Sequence, residues 1–367
     1  MMGGAENIVR MYACELNKNI FDVSVVCYDG YESPYLDELS DKGVNVIDIG
    51  RNLLFPRSSN FVIRNLRNIE ILIRLKKVFH MINPDIIHEH LNLNRMLKYI
   101  RPQKTTSIIY TQHYSVDRWK RDFPEEVKNA KFLSKNYSFE LIALNNSMRE
   151  ELLDIFPNNN ISVLQNGINV ELFSAKINID SKKHQLGIPP DNLVIGHVGR
   201  FNRIKNHTFL IDVFAEIQKI EPKSVLVLVG SGEDEDKIID KLNRLKLKEK
   251  CIILNDRTDV NEILKTFNIL IFPSISEGLP VTLIESQFAG IKSLVSDAVS
   301  HECAISNLIK FKSINDSPYE WAKSAISLIN HEQKIEYYNA EKWNIKAVVR
   351  ELEKIYIRLY ERSKTKQ

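Results

Sequence analysis

Long hydrophobic runs and paired cysteines are both missing from this sequence of 367 residues. No stretch approaches the roughly 18 consecutive apolar residues of a membrane-spanning helix, and residues 1–10 lack the apolar segment of a signal peptide. The four cysteines occur without a Cys-x-x-Cys spacing, so they predict neither a disulfide framework nor a metal site. We therefore expect a cytoplasmic protein with free thiols and no bound metal.

Two further absences exclude classes of function. No Gly-x-Gly-x-x-Gly follows an early apolar run with an acidic residue roughly 20 positions later, which argues against a dinucleotide-binding oxidoreductase. The formal net charge of +3 is small and diffuse, so it gives no indication of nucleic-acid binding. With 44% hydrophobic and 26% charged residues, the composition is typical of a globular protein, and the length predicts two domains.

Short apolar runs alternate with helical patterns along the chain, and each run predicts a strand buried in a parallel sheet. The predicted strands are residues 22–28, 44–49, 84–88, 107–111, 140–144, 161–164, 193–198, 224–229, 251–254, 269–272 and 292–296. This alternation predicts an α/β fold with doubly wound parallel sheets. We expect a first domain at 1–170, a linker at 171–192, a second domain at 193–342, and a helix at 343–367 that packs back on the first domain.

Helices are also predicted at residues 60–82 and 332–339. Residues 60–82 predict a long amphipathic helix, with Leu66, Ile69 and Ile73 among its apolar positions. Its basic residues fall on a common stripe, which is either a solvated face or a surface that meets anionic lipid. The stripe consists of Arg64, Arg67, Arg74 and Lys77. Residues 332–339 predict a further helix near the end of the second domain.

The stretch from Ile269 to Ser286 combines a strand, a short loop and a helix. Open α/β sheets bind ligands at such places, beyond the carboxyl ends of their strands. Pro280 suits the first turn of the helix, because its missing N–H would have no partner there. The free N–H groups of Val281 and Thr282 lie at the positive end of the helix dipole, so we expect them to favour an anion such as phosphate.

Two carboxylates flank this expected anion site, Glu277 in the loop and Glu285 in the helix. A carboxylate accepts hydrogen bonds only, which suits the vicinal hydroxyls of a sugar or a ribose. A phosphate site with a carboxylate on either side predicts the binding of a nucleotide sugar. The alternative is that Glu277 is a charge at the helix start and Glu285 belongs to a solvated helix face.

Further candidate residues follow other predicted strands, at the same edge of each sheet. Arg200 and Lys205 follow the strand at 193–198, where two cations would neutralise a diphosphate; the alternative is two solvated loop cations. Asn255 and Arg257 lie in a loop that is placed to contact a nucleotide base.

His113 lies just beyond the carboxyl end of the predicted strand at 107–111. This position makes it a better candidate for ligand contact than His80 or His90. The alternative is that His113 is a structural histidine.

The chain begins with a glycine turn, Gly3-Gly4, that leads into a helix. In an α/β domain such a turn normally follows a strand, and no strand precedes it in this sequence. We expect that the N-terminal sheet lacks its first strand because the start lies too far downstream or a piece is absent. The alternative is that the two glycines form a flexible terminus.

Taken together, these motifs resemble glycosyltransferase family 4. The resemblance covers nearly the whole chain and is most specific from Gly196 to Asp297. It is carried by Gly199-Arg200, Lys205-Asn206, Gly230-Ser231-Gly232, and the Glu-Gly-Leu-Pro at 277–280 with Glu285. It implies a GT-B fold, in which two Rossmann-like parallel-sheet domains face a cleft, here with the first strand of the N-terminal domain missing.

The resemblance also implies roles for the matching residues. Glu277 would hold hydroxyls of the transferred sugar and Glu285 the ribose, while Arg200 and Lys205 would stabilise the leaving diphosphate. The expected catalytic residues are His113, Arg200, Lys205 and Glu277. The expected donor-binding residues are Gly4, Gly199, Arg200, Lys205, Gly230, Asn255, Arg257, Glu277, Gly278, Leu279, Val281, Thr282 and Glu285.

The activity implied by the resemblance is retaining sugar transfer from a nucleotide-diphosphate sugar, commonly UDP-linked, with no metal or other cofactor. The expected acceptor is a glycan carried on a lipid, in the synthesis of bacterial capsule or exopolysaccharide at the inner face of the cell membrane. The alternative is a GT-B protein that binds nucleotide but transfers nothing, because its N-terminal sheet lacks a strand.

Overall fold

Parallel sheets flanked by helices make up the computed structural model, which describes residues 4–27, 36–91, 94–277 and 279–364. The described chain divides into two units. The N-terminal unit contains the residues up to 167 together with those from 345 onward, and the C-terminal unit contains residues 168–344. Every pair of neighbouring strands in the described sheets is parallel, as the buried apolar runs predict.

The N-terminal unit alternates helices and strands. Its elements are α1 (Gly4–Glu15), β1 (Ser24–Cys27), α2 (Leu36–Asp41), β2 (Asn45–Asp48), α3 (Phe61–Ile82), β3 (Ile86–His90), α4 (Asn94–Ile100), β4 (Ser107–Thr111), α5 (Val116–Asp122), α6 (Pro124–Asn136), β5 (Ser138–Ala143), α7 (Asn146–Ile155) and β6 (Asn160–Val163). β1 pairs with β2, and β3 to β6 pair in chain order as a separate sheet. The predicted first and last residues of β4, 107 and 111, are confirmed.

The C-terminal unit contains one six-stranded sheet, in the order β12-β11-β10-β7-β8-β9. Its elements are α8 (Val170–Ser174), α9 (Ile179–Gln185), β7 (Leu193–Val198), α10 (His207–Ile220), β8 (Ser224–Val229), α11 (Glu235–Arg244), β9 (Cys251–Leu254), α12 (Val260–Leu264), β10 (Ile269–Phe272), α13 (Val281–Phe288), β11 (Ser293–Ser296), β12 (Ile309–Lys312) and α14 (Pro318–Asn330). The predicted bounds of β7 to β10 are confirmed.

The central strands of this sheet are buried on both faces. Every residue of β8 and β10 is buried, and their side chains pack against α10 and α14. Phe214 and Trp321, one from each helix, are fully buried in this cluster. Burial of one large apolar side chain contributes about 1.5–3 kcal/mol, so this core accounts for much of the stability of the unit.

The last helix, α15 (Ile345–Lys364), belongs to the N-terminal unit. It packs on α1, β3 and β4 through an apolar stripe that includes Leu352 and Leu359. The carboxylate of Glu353 accepts a hydrogen bond from the backbone N–H of Asn17, 2.8 Å away. Arg358 pairs with the buried Glu140 of β5, so the helix also supplies the counter-ion of a buried carboxylate.

The segment at 171–192 is not the irregular linker that the sequence predicts. It contains most of α8 and all of α9, and it belongs to the C-terminal unit. Asn169 caps α8 by accepting from the N–H of Leu172, and Asn178 caps α9 by accepting from the N–H of Ser181. Such caps supply acceptors for otherwise unpaired N–H groups, which stabilises helices too short to show a clear apolar period.

The predicted helix at 332–339 is also wrong. These residues form an extended loop, followed by a 3-10 helix at Ala340–Trp343. The side chain of Asn307 accepts from the N–H of Glu336 and donates to the carbonyl of Lys334, and Tyr337 forms an isolated bridge with Ser306. Side-chain bonds to the backbone therefore replace the helical ladder in this segment.

Helix α3 forms as predicted, but the sequence misplaces its apolar side. Asn60 caps the helix and Asn83 ends it in the left-handed region. The buried residues are Ile71, Leu75 and Val78, whereas the predicted apolar positions Leu66, Ile69 and Ile73 are exposed. Among the helices that the structure describes, none combines the length and the apolar character of a membrane span.

Gly230 brings two loops of the C-terminal unit into close contact. Its φ is 143°, and a Cβ there would lie 2.1 Å from the carbonyl oxygen of Gly199. Gly187 provides a contrast in the same unit, because its φ of 70° is also positive but a Cβ would meet nothing within 4 Å. Glycine is therefore needed at 230 for space as well as for backbone conformation.

We expect Gly230→Ala to destabilise the C-terminal unit more strongly than Gly187→Ala. The second substitution costs only the left-handed conformation, about 1–2 kcal/mol, whereas the first must also push two backbone segments apart. Urea unfolding of both variants measures the difference. Equal losses of stability would contradict the close approach of the two loops.

Candidate functional site

The order of strands in the C-terminal unit creates a crevice for a ligand. From β7 the chain continues outward to β8 and β9, then crosses back to place β10 on the other side of β7. The loops that leave the carboxyl ends of β7 and β10 therefore diverge in opposite directions. In open parallel sheets, this switch point is where ligands bind.

Backbone and side-chain hydrogen bonds fix these two loops to one another. Asn206 has a left-handed backbone with φ of 55°, and its side-chain amide donates to the carbonyl of Pro273 at 3.2 Å. The N–H of Ile275 donates to the carbonyl of Ile204 at 2.9 Å. The loop after β7 thus holds the loop after β10 in place.

Lys205 and Glu277, one from each loop, form an ion pair at the switch point. Lys205 Nζ lies 2.8 Å from Glu277 Oε1, and the two side chains are 15% and 17% exposed. The ammonium also lies 4.4 Å from the centre of the Phe272 ring. The pair lacks hydrogen-bond geometry, since Glu277 Oε1 has no hydrogen bond within the part of the chain described. The two charged groups are therefore held together where little solvent reaches them, without a well-directed hydrogen bond between them.

Helix α13 begins at Val281, four residues after Glu277. Pro280 is its N-cap residue, one position earlier than the first turn in which the sequence places it, and Leu279 is buried. Val281 and Thr282 open the helix, so their N–H groups have no acceptor inside it. An anion at this end would meet those N–H groups and the positive pole of the helix dipole. The predicted residue Gly278 lies outside the described residues.

Glu285 lies one turn into α13 and is half-buried. Burial raises its pKa from an ordinary 4.5 to about 7. Its carboxyl is thus poised between the charged and the neutral form near neutral pH. A hydroxyl partner, such as that of a ribose, would be bound by either form, because a neutral carboxyl both donates and accepts.

The remaining predicted side chains of this unit, Arg200, Asn255 and Arg257, lie in loops that follow the carboxyl ends of β7 and β9. Arg200 is 63% exposed, and its Nε lies 3.3 Å from Glu233 Oε2. Asn255 donates to Glu235 Oε1 at 3.0 Å, and Arg257 donates to Asp259. Exposed ion pairs contribute little, so Arg200 can exchange its partner for a ligand anion at small cost.

Two buried histidines lie beneath the loop after β7. His197 Nδ1 donates to the carbonyl of Ile271 at 2.9 Å. Burial lowers the pKa of His197 to about 4 and that of His207 to about 2, and the nearby charge of Lys205 adds to both shifts. Both imidazoles are therefore neutral, and Lys205 is the cation at this position.

In the N-terminal unit, three histidines cluster at the carboxyl ends of β3 and β4. His88 Nδ1 lies 2.6 Å from the hydroxyl of Tyr356, and His88 Nε2 lies 2.7 Å from Oγ1 of Thr111. His90 Nδ1 lies 2.9 Å from His113 Nε2. One imidazole of this pair must donate and the other accept, so the pairing couples their tautomers.

Burial keeps this cluster uncharged. It lowers the pKa of His88 to about 3 and that of His113 to about 4, and it places the pKa of His90 well below its ordinary value. The neighbouring imidazoles add to the shifts of His88 and His90. At neutral pH, His113 is thus a hydrogen-bonding group and not a cation.

His90 is a candidate that the sequence prediction set aside in favour of His113. The signal was present in the alternation of His88 and His90 along one strand, which points both side chains to the same face. The sequence cannot show that His113, two residues beyond the end of β4, lies against His90, because that contact depends on the register of β3 and β4.

No group of three or more histidine, cysteine, aspartate or glutamate side chains is arranged to hold a metal ion among the residues described here. The described residues therefore offer no candidate metal centre. That the reaction needs no metal stays a prediction.

Two family models together match most of the chain. Residues 2–172 match the model described as Glycosyltransferase Family 4, and residues 178–343 match the model described as Glycosyl transferases group 1. The first covers the N-terminal sheets, and the second covers the switch point with Lys205 and Glu277.

Curated relatives extend this similarity. The UDP-Gal:alpha-D-GlcNAc-diphosphoundecaprenol alpha-1,3-galactosyltransferase of Escherichia coli is 28% identical over 78% of this chain and 74% of that protein. The capsular polysaccharide biosynthesis glycosyltransferase CapH of Staphylococcus aureus is 23% identical over 97% of this chain and 95% of that protein. Another relative is 32% identical, but the alignment spans only 43% of its length.

The solved structures that are similar to this chain include Anabaena HepE in complex with UDP-glucose. The match has a TM-score of 0.70 at 16% identity and covers all of this chain and 96% of HepE. At this identity the likeness shows the fold, and it confirms the predicted GT-B fold.

We expect Glu285→Gln to stabilise the unliganded protein at about pH 8 but not at about pH 5. The pKa of Glu285 is higher in the folded state than in the unfolded state. The wild-type protein therefore loses stability as pH rises from 4.5 through about 7, whereas the variant with a neutral amide does not. Thermal unfolding of both proteins across this range measures the difference. Glu150→Gln, at an exposed carboxylate, is the control and should show no such pH dependence. A difference between wild type and Glu285→Gln that is constant with pH would contradict the buried state of Glu285.

Proposed function

Because the chain belongs to glycosyltransferase family 4, we propose that it moves a sugar from a UDP-sugar to a lipid-linked glycan, with retention of configuration. The observation that carries the proposal is the Lys205–Glu277 ion pair at the switch point, beside the N-terminus of α13. The named activity of the galactosyltransferase relative, which uses a UDP-sugar and a diphosphoundecaprenol-linked acceptor, supports this choice of substrates. In this proposal the protein works at the cytoplasmic face of the cell membrane in polysaccharide synthesis.

The proposed donor site places cations and N–H groups where negative charge develops. As the bond between sugar and phosphate breaks, the leaving diphosphate gains charge. Arg200 and Lys205 would neutralise it, and the first N–H groups of α13 would hold its oxygens. Preorganised groups of this kind supply the largest electrostatic contribution to such reactions.

The two carboxylates have separate roles in this proposal. Glu277 would accept hydrogen bonds from hydroxyls of the transferred sugar, and Glu285 would hold the ribose. Asn255 and Arg257 would meet the base. Gly199 and Gly230, together with Gly4 of the N-terminal unit, would let the backbone approach the phosphates closely.

His113 would lie beside the reacting sugar, with its tautomer coupled to that of His90. As a neutral group it would donate or accept one hydrogen bond to the sugar without adding charge. Retention would then follow from attack on the same face of the sugar, with the leaving phosphate taking the proton of the acceptor. In this proposal no carboxylate nucleophile takes part, so the reaction would not be a double displacement.

A protein that binds nucleotide but transfers nothing is the second candidate. The observation that favours it is the separation of β1 and β2 from the sheet of β3 to β6. In that case the C-terminal unit would bind UDP normally, and turnover would be absent with every sugar donor.

We expect UDP, and more strongly one UDP-sugar, to raise the thermal unfolding temperature of the protein. A ligand at about 100 times its Kd adds roughly 2.7 kcal/mol of stability. The test is a thermal-shift panel of nucleotides and nucleotide sugars, followed by a transfer assay with the best donor. Glu285→Ala and Arg200→Ala should reduce the shift, and Arg244→Ala, an exposed arginine in α11, should leave it unchanged. If no nucleotide shifts the transition, the proposed donor site is wrong; binding without transfer favours the second candidate.

We expect Glu277→Gln to bind UDP more tightly than wild type but the intact UDP-sugar less tightly. The substitution releases Lys205 from its ion pair and removes a charge that repels the diphosphate, an effect of about 1 kcal/mol or roughly fivefold in Kd. Calorimetric titration with UDP and with the donor measures both constants. Glu233→Gln, which removes the exposed partner of Arg200, is the matched control and should change both by much less. Weaker binding of UDP to Glu277→Gln would show that the ion pair does not compete with the ligand.

A further inference from the structure

Four charged side chains connect α9 to the loop after β9. Lys182 of α9 is only 7% exposed, and its Nζ lies 2.6 Å from Asp259 Oδ2 and 2.5 Å from Glu262 Oε2. Arg257 donates to both oxygens of Asp259, from Nε at 2.8 Å and from Nη2 at 2.5 Å. Two cations and two anions therefore form one network, in which Asp259 Oδ2 accepts from both cations.

Asp259 is charged at neutral pH and links the two cations. Burial raises the pKa of Asp259, but the hydrogen bonds from Arg257 and Lys182 outweigh this effect and lower the pKa to about 2. Lys182 thus fixes the position of the carboxylate, and the carboxylate fixes the guanidinium of Arg257 by two bonds. A planar guanidinium that is bound at two of its nitrogens keeps one orientation.

The segment that carries Lys182 is itself firmly attached within the C-terminal unit. Helix α8 packs against α12 and α13, and Lys265 at the end of α12 donates to the carbonyl of Ala175 at the end of α8. Leu186 and Ile188, which directly follow α9, are buried. Lys182 therefore extends from a fixed backbone.

The bonds to Asp259 leave part of the Arg257 guanidinium available to a ligand. A guanidinium has five N–H donors, and the bonds to Asp259 use two of them. Within the described part of the chain, no other group accepts a hydrogen bond from Arg257, whose side chain is 31% exposed. Arg257 can thus donate to a ligand while it keeps both bonds to Asp259.

The loop of Arg257 lies at the same edge of the sheet as the proposed donor site. It follows β9, which ends at Leu254, and the carbonyl of Leu254 accepts from the N–H of Gly230 at 3.0 Å. Gly230 in turn lies against the loop after β7, which carries Lys205. The loops after β7, β8 and β9 are therefore in contact with one another in sequence.

We propose that Lys182, through Asp259, positions Arg257 to hydrogen-bond the base of the nucleotide and to favour uracil over adenine. This inference rests on the proposed function, because it concerns the base of the proposed UDP-sugar. Uracil presents carbonyl oxygens that accept from a guanidinium, whereas adenine carries an amino group that donates, as the guanidinium does. Lys182 and Asp259 would be positioning residues, and Arg257 would make the contact.

The alternative is that the network only holds α9 against α12. In that case loss of Lys182 would lower the stability of the unit and would weaken the binding of UDP and ADP alike. The preference between the two nucleotides therefore distinguishes a positioning role from a purely structural one.

The test is calorimetric titration of the full-length protein with UDP and with ADP. We expect wild type to bind UDP about tenfold more tightly than ADP or better, as a well-directed arginine contact to a base provides. Lys182→Met removes the charge and keeps the length of the side chain. It should raise the Kd for UDP roughly threefold to tenfold, about the contribution of one hydrogen bond, and leave the Kd for ADP nearly unchanged.

The matched control is Lys241→Met. Lys241 of α11 is 13% exposed, and its Nζ lies 2.6 Å from Asp212 Oδ2 of α10 in the same unit. This variant breaks a comparable ion pair away from the loop of Arg257. It should lower the thermal unfolding temperature, as Lys182→Met does, but keep the ratio of the two dissociation constants.

A double variant tests whether Lys182 acts through Arg257. Arg257→Leu should reduce the preference for UDP at least as much as Lys182→Met does. Lys182→Met/Arg257→Leu should then bind UDP no more weakly than Arg257→Leu alone, because residues that act as one unit have effects that do not add. Since Arg257 is partly exposed, its single variant keeps the test decisive if Lys182→Met is too unstable to purify.

The results separate this inference from the proposed function. Wild type that binds neither nucleotide would refute the proposed donor site, and this inference with it. Wild type that binds UDP, but without preference over ADP or with a preference that Lys182→Met and Arg257→Leu leave unchanged, would refute the inference alone. Additive losses in the double variant would show that Lys182 stabilises the unit without positioning Arg257.

Discussion

The sheet of the C-terminal unit is covered by helices on both faces, and this constraint decides where its chemistry can lie. A strand such as β10 has every side chain buried, so a charged group within it would be costly. The central strands β7, β8 and β10 accordingly contain no Asp, Glu, Lys or Arg, and Lys205 and Glu277 lie in loops beyond the strand ends. The strand order then determines which of those loops can form a ligand site. In this sheet the connections after two neighbouring strands diverge only at β7 and β10. The Lys205–Glu277 pair occurs at this one break in the sheet, where a ligand can reach charges that the core excludes.

Close packing of backbone converts that break into a defined site. Gly230 brings its own loop against the loop after β7, and Asn206 ties the latter to the loop after β10. Each contact is local, but together they fix Lys205 opposite a carboxylate that is distant in sequence. The N-terminal unit follows the same rule with neutral groups. His90 ends β3 and His113 lies two residues beyond β4, and the two meet because β3 and β4 pair in register.

The sequence predicts these strands well because a strand that is buried on both faces is a nearly continuous apolar run, and the predicted bounds of β7 to β10 agree with the structure. It predicts helix faces less well. In α3 the apolar residues lie on two sides, and periodicity cannot tell which side meets the core. The sequence prediction misses α8 and α9, because the signal for each of these short helices is a single asparagine cap. It also predicts a helix at 332–339, where the side chain of Asn307 hydrogen-bonds to the backbone in place of a helical ladder. The residues of the candidate donor site follow from the strand ends, but the pairing of Lys205 with Glu277 depends on contacts between loops.

The two groups proposed to hold the diphosphate and the sugar, Lys205 and Glu277, form an ion pair with each other. A nucleoside diphosphate alone would take Lys205 and leave Glu277 as a sheltered carboxylate beside phosphates, which is unfavourable. In the proposed function the intact donor would avoid this cost, because its sugar hydroxyls would hydrogen-bond to Glu277 while its phosphates would hold Lys205. The same exchange would favour product release: once the sugar had moved to the acceptor, Glu277 would pair with Lys205 again and displace the diphosphate. The Lys205–Glu277 ion pair would thus favour binding of the intact donor over the nucleoside diphosphate alone, and it would promote release of the diphosphate after transfer.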